Sequence, residues 1–394
     1  MNRREKLTDT YRSVVSQIPG KYGVPWRPSN KQGNNLFRIS QQIAASLFDA
    51  DNRVILEDGS VLLELNDGSL VALCCLASNS AHATAIPING AYLIGVSTKL
   101  FQATFSLLAS LFSEAQLMAN AFSPPTKRDD DSSPLPPGFE RLIWEAEDEM
   151  TKGSTATARG SEALGALVDA VMEAEFQRLD QSRLERLSGE RRSSFELSVA
   201  AAIRFLWLHE IGHVLGGHLD LLGSLGLQEE ISETNLGLAD APSETSEHEP
   251  SFLFYGVEIE ADTWALRAMA KSQKSSSDGS LIEAIGVIAI FLLFYGIPRL
   301  TGNTETSIQH PPVWYRARRA SIELLGGPPR GMFRQILLQA SELHPMFGEW
   351  LDPLSRDQWE DAAKGIDQEV RRFFGPSLGA LANMRRKFSF QPKL

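Results

Sequence analysis

The sequence predicts an α+β fold that is predominantly helical, with a small antiparallel sheet confined to its N-terminal part. Three observations carry this. Two Asp-Gly pairs punctuate the apolar run "RVILEDGSVLLELNDGSLVALCCLAS", residues 53–78, which is the strongest short-range signal for hairpins. A break rich in proline, serine and charge, "SPPTKRDDDSSPLPPG", follows at residues 123–138. Beyond it, apolar residues recur at helical spacing and no strand pattern appears.

Taken in order, residues 36–50 read as a short amphipathic helix, and residues 53–78 as a hairpin meander. After a proline-containing turn, "INGAYLIGVSTKLF", residues 88–101, reads as a further strand, and residues 102–122 as a helix. These make an N-terminal region, 1–122, joined by the linker 123–138 to a helical region, 139–394. Within the latter, residues 227–252 are acidic and poor in apolar side chains, a candidate lid or partner-binding loop with a solvated surface excursion as the plainer alternative. Residues 281–298 hold 14 successive apolar or glycine positions, short of the about 20 needed to span hydrocarbon, so a buried core helix is expected rather than a membrane span.

With 394 residues the chain has enough apolar mass for a large core, so a metal would serve function more than folding. A net charge of −11 argues against a nucleic-acid surface, which needs concentrated Lys and Arg. The two cysteines, Cys74 and Cys75, are neighbours in an apolar run and read as buried thiols in a reducing compartment. The start "MNRREKLTDTYRSVV" has no apolar segment behind its basic residues, so no signal peptide is expected and a cytoplasmic location is.

The chemistry gathers at "FLWLHEIGHVLGGHLD", residues 205–220. On a helix, His209 and His213 lie four residues apart and share a face, and Glu210 beside them can approach a water on a common ion. A catalytic zinc takes three protein ligands and leaves a fourth position for water. His218 lies well round the helix from the pair, one residue short of the extended zincin position, where Leu219 stands. A surface or supporting role is expected for it, although a helix ending at Gly216-Gly217 would let it swing back. The better third ligand is in "YGVEIEADTWALRAMAK", residues 255–271: Glu258 and Asp262 share a helix face, while Glu260 points elsewhere. Two carboxylates on an otherwise apolar helix need a cation beside them.

"HEIGH" followed by "EIEAD" resembles the gluzincins, the Glu-ligand zinc endopeptidases, of the HtpX-like and CAAX prenyl protease type. The resemblance implies a zincin-like fold with an active-site helix pair, one Zn2+ held by His209, His213 and Glu258, Glu210 as general base, and Asp262 behind the ligands. "HPPVWYR", residues 310–316, is similar to a late element of that family and implies His310 at the oxyanion and Arg316 orienting the Glu ligand. Residues 88–101 are similar to the edge strand such enzymes place over the cleft. Soluble phage-exclusion peptidases of the Lit type show a similar "HEIGHxxxGH" segment.

These residues lead to an expectation of peptide-bond hydrolysis by a zinc-activated water, acting on an extended protein or peptide substrate. Tyr255 or Tyr315 could replace His310 as oxyanion donor, and Arg316 could instead be a simple surface charge. Two readings compete: a regulator-cleaving peptidase of the ImmA type, which usually has Asn where Asp262 stands, and a metal-binding scaffold that works by binding a partner.

Overall fold

Turns at Asp58-Gly59, Gly68 and Asn89-Gly90 lay down most of a seven-stranded mixed sheet, and among the described residues seven helices share the core on one of its faces while an eighth covers the other. The computed structural model describes residues 3–26, 35–48, 53–65, 68–78, 81–113, 187, 189–224, 231–232, 249–272, 277–300, 311, 313–326, 364–366 and 368. The linker 123–138 and His310 lie outside the described residues, as does most of the acidic stretch 227–252.

Helix α1 (Arg3–Val15) and strand β1 (Val24–Pro25) precede helix α2 (Asn35–Ser46). Strands β2 (Arg53–Ile55), β3 (Val61–Glu64) and β4 (Leu70–Ala77) then form the expected antiparallel meander. Its first turn is a three-residue loop: Gly59 N–H donates to Leu56 O, Leu56 N–H donates to Ser60 O, and Gly59 takes φ 82°. Glycine is needed there because the left-handed backbone penalises a Cβ.

Two expectations about the next segment are corrected. The proline-containing stretch is not a turn but strand β5 (Ala83–Ile88), which includes Pro87. Asn89 and Gly90, at φ 50° and 76°, then turn the chain tightly into β6 (Ala91–Ser97). β6 is no edge strand, because it lies between β4 and β5 in the order β2-β3-β4-β6-β5-β7. The hairpin inserts with β6 parallel to β4, so the sheet is mixed rather than antiparallel. The strand also ends sooner than expected, at Ser97, whose hydroxyl accepts from Leu100 N–H and caps helix α3 (Thr98–Ser113). A short strand in the C-terminal half, β7 (Ile231–Ser232), pairs with β5 where the sequence shows no strand pattern.

Both faces of the sheet are covered, which is why β4 is apolar at nearly every position. Leu62, Ala72, Cys74 and Leu93 pack with Leu7, Tyr11 and Val14 of α1. Val61, Leu73, Cys75 and Ile94 face the main core, shared with α2, α3 and helix α4 (Gly189–Leu215). The cysteines are thus on opposite faces, and both are buried free thiols.

After α4 come α5 (His218–Ser224), α6 (Glu249–Ser272), α7 (Ser277–Leu300) and α8 (Val313–Leu325). Ser40 of α2 accepts from the Trp207 indole and contacts the Cys75 thiol, fixing the rotation of α4 against the sheet. On its other side α4 meets α7 closely: a Cβ on Gly286 would stand 2.2 Å from Ser198 O, and Ser198 Oγ donates to Ile282 O. Residues 284–292 of α7 are almost wholly buried in this core, and among the described residues no helix is long and apolar enough to cross a membrane.

Candidate metal centre

Helices α4 and α6 cross where neither carries a large side chain. Gly212, inside "HEIGH", lies against Ala261, so close that a Cβ on it would stand 3.1 Å from the Ala261 Cα. That crossing brings His209 and His213, on one side of α4, to Glu258 and Asp262, on one face of α6. All four are buried to 1% exposure or less, as is Glu210.

One ligand atom each from His209, His213 and Glu258 lies within 4.8 Å of the others, so the cluster could hold a metal ion. The Nε2 atoms of the histidines are 3.0 Å apart, His209 Nε2 is 3.5 Å from Glu258 Oε2, and His213 Nε2 is 3.4 Å from Glu258 Oε1. Nitrogen and oxygen ligands at tetrahedral angles round one zinc ion stand about 3.3 Å from each other. The triangle therefore has the size such an ion requires.

The hydrogen bonds behind the triangle decide what its corners offer. His209 Nδ1 lies 2.9 Å from Asp262 Oδ1, and an ionised carboxylate only accepts, so the proton sits on Nδ1 and Nε2 presents a lone pair. Asp262 is held in turn by a fork from Arg316 of α8, whose Nε and Nη2 donate to its two oxygens at 2.8 Å each. Arg316 Nη2 also stands 3.6 Å from Glu258 Oε2, and the guanidinium lies over the Phe291 ring at 4.8 Å. Burial by itself pushes the Asp262 carboxyl up; the Arg316 charge and the hydrogen bonds from His209 and Arg316 outweigh it and hold the group below its ordinary value of 3.8.

Of the residues singled out in the sequence, His209, Glu210, His213, Glu258, Asp262 and Arg316 are all buried, and the hydrogen bonds and ion pairs above join five of them into one cluster. Arg316 is no surface charge, at 1% exposure. Tyr315 is buried beside Ile259, with its hydroxyl accepting from Arg319 at 3.5 Å. Tyr255, one turn before Glu258, is partly buried, and burial raises its hydroxyl, keeping it a proton donor. The sequence reading gave no role to Glu260 and no partner to His218. His218 is buried with Nδ1 3.0 Å from His213 Nδ1, and its Nε2 faces Glu260 Oε2 at 3.5 Å. The signal was the Gly-Gly pair before it.

No family model, curated protein or solved structure matches this chain.

Proposed function

We propose that this protein is a zinc-dependent endopeptidase acting on a protein or peptide substrate, with Glu210 as general base. The single observation that carries the reading is the buried convergence of two imidazole Nε2 atoms and a carboxylate from α4 and α6, at the spacing of one small divalent ion. With neither a cation nor a shared proton between them, three such acceptors in a dry site would repel one another. Two nitrogens and one oxygen suit zinc and leave a coordination position open.

Zinc held there would supply Lewis acidity, bringing the pKa of a water from about 15.7 towards about 7. Glu210, on the same turn of α4 as His209, takes the proton of the attacking water and passes it to the leaving amine. Asp262 and Arg316 hold His209 and Glu258 in register, so that neither ring nor carboxylate must reorganise during the reaction. His310 is the proposed donor to the oxyanion, with Tyr255, or Tyr315, whose hydroxyl accepts from Arg319 and keeps its own proton to donate, as substitutes. A substrate strand would add to the sheet at its β5 margin, beside β7, rather than along β6.

The burial of every ligand favours a second reading, in which the ion holds a binding scaffold together. One comparison separates the two. Wild-type protein and Glu210→Gln are loaded with one equivalent of zinc and incubated with a peptide library read by mass spectrometry. The peptidase reading requires cleavage by the wild type, equal zinc content in both, and no products from Glu210→Gln. Products at equal rates from both proteins remove Glu210 from the reaction, and none from either leaves the scaffold.

A further inference from the structure

The two histidine ligands are supported differently. Behind His209 stands a carboxylate pinned by an arginine, whereas behind His213 stands another imidazole. Two ring nitrogens 3.0 Å apart make one hydrogen bond, in which one donates and the other accepts. Which of them donates sets the chemistry of the site. If His218 donates, neutral His213 carries its proton on Nε2, where it bonds His209 Nε2 at 3.0 Å, and an entering ion must displace that proton. If His213 donates, its Nε2 is bare.

Glu260 selects between these. Its Oε2 lies 3.5 Å from His218 Nε2, a longer, electrostatic contact that favours a proton on that nitrogen. A neutral His218 protonated on Nε2 offers Nδ1 as an acceptor, and with an ion on His213 Nε2 that ring would hold its proton on Nδ1 and donate it to His218. We infer that His218, biased by Glu260, is a positioning residue that keeps His213 in the metal-accepting tautomer. This rests on the metal-site reading proposed above.

The backbone is built to place that ring. Gly217 takes φ 68° and its N–H donates to Val214 O, which ends α4 and reverses the chain. Gly216 leaves the space His218 fills: a Cβ there would stand 2.4 Å from His218 Nε2. Glu260 comes from the side of α6 that faces away from Glu258, so a single helix supplies both a ligand and the group that biases the opposite histidine.

The test uses the full chain, labelled with 15N only at its seven histidines, loaded with one equivalent of zinc and read by long-range 1H–15N correlation at pH 8. The expected pattern is His213 protonated on Nδ1 and His218 on Nε2; a proton on His218 Nδ1 overturns the inference. Zinc affinity, measured by competition with a chromogenic chelator, is the second readout. His218→Ala should bind zinc about 10–100-fold more weakly. His218→Asn, whose amide oxygen can still accept from Nδ1, should recover part of the loss, and Glu260→Gln should fall between wild type and His218→Ala. Equal affinity in wild type and His218→Ala also overturns it. Should His218→Ala fail to fold, Glu260→Gln, altered at a partly exposed side chain, decides the affinity arm by the same rule. A wild type that binds no zinc defeats the metal reading, and this inference with it.

Discussion

Helix α4 has two sides, and they are stabilised by opposite means. Toward α3 and α2 it offers Phe195, edge-on to Phe105 and Phe112 at 5.1 and 6.2 Å, and Trp207, which leans on Phe101 at 6.1 Å. Toward α6 it offers His209, Gly212 and His213, which meet Glu258, Ala261 and Asp262. The aromatic side gains from burial roughly in proportion to area, so damage there is graded and local. On the polar side each charge is tolerable only while its partner is present, so one deletion leaves an unpaired charge in a dry site. A single helix thus joins a forgiving core to one that fails abruptly.

The comparison is broken most severely by Arg316→Ala. Uncovering Asp262 and Glu258 should cost about 3–5 kcal/mol. It should also remove the added stability a bound ion confers, about 2.7 kcal/mol at an ion concentration 100 times Kd. Thermal unfolding with and without zinc reads both effects. Phe195→Ala, on the aromatic side, should cost about 3–5 kcal/mol but keep the zinc-dependent rise in Tm intact. If zinc no longer raises its Tm, the two sides are not independent. Gly212→Ala should cost about 1–3 kcal/mol, because Ala261 backbone must move, and should weaken zinc binding while leaving the aromatic contacts in place.

The smallest expected effect is in the sheet, where Ser40 alone stands between the Cys75 thiol and Trp207 of α4. Burial pushes the Cys75 thiol up to about 12 from an ordinary 9.0, with the Ser40 hydrogen bond opposing it. Folding keeps the proton on, so its contribution to stability is full below pH 9 and declines as pH rises towards 12. Folded protein at pH 8 should therefore resist iodoacetamide at both cysteines; prompt alkylation would show that the sheet opens locally.

Much of the site was legible because helical spacing is a strong constraint. His209 with His213, and Glu258 with Asp262, share faces by arithmetic alone, and the arithmetic of α6 also sends Glu260 elsewhere. What spacing could not give was the crossing of the helices at Gly212 and Ala261, or the direction in which Gly217 turns His218. In the sheet, Asp58-Gly59 and Gly68 marked the meander. β5 was hidden by Pro87 and by its small Ala83 and Ala85, which carry little strand propensity. β7, two residues long, carries no periodic signal. The placement of β6 inside the sheet depends on a hairpin docking beside β4, a long-range event no local pattern records.

Pro87 has an effect of its own. Ile88 pairs with Ala91 across the tight turn, and Ser97 N–H donates to His82 O further along, so the odd-numbered positions of β5 turn their main-chain groups away from β6. Ala85 meets β7 there, and no described strand pairs with β5 beyond it. At Pro87 that margin lacks a donor, which leaves a gap in the template a stray strand from another molecule would need to zip on. The same gap works against indefinite growth of the sheet into aggregates.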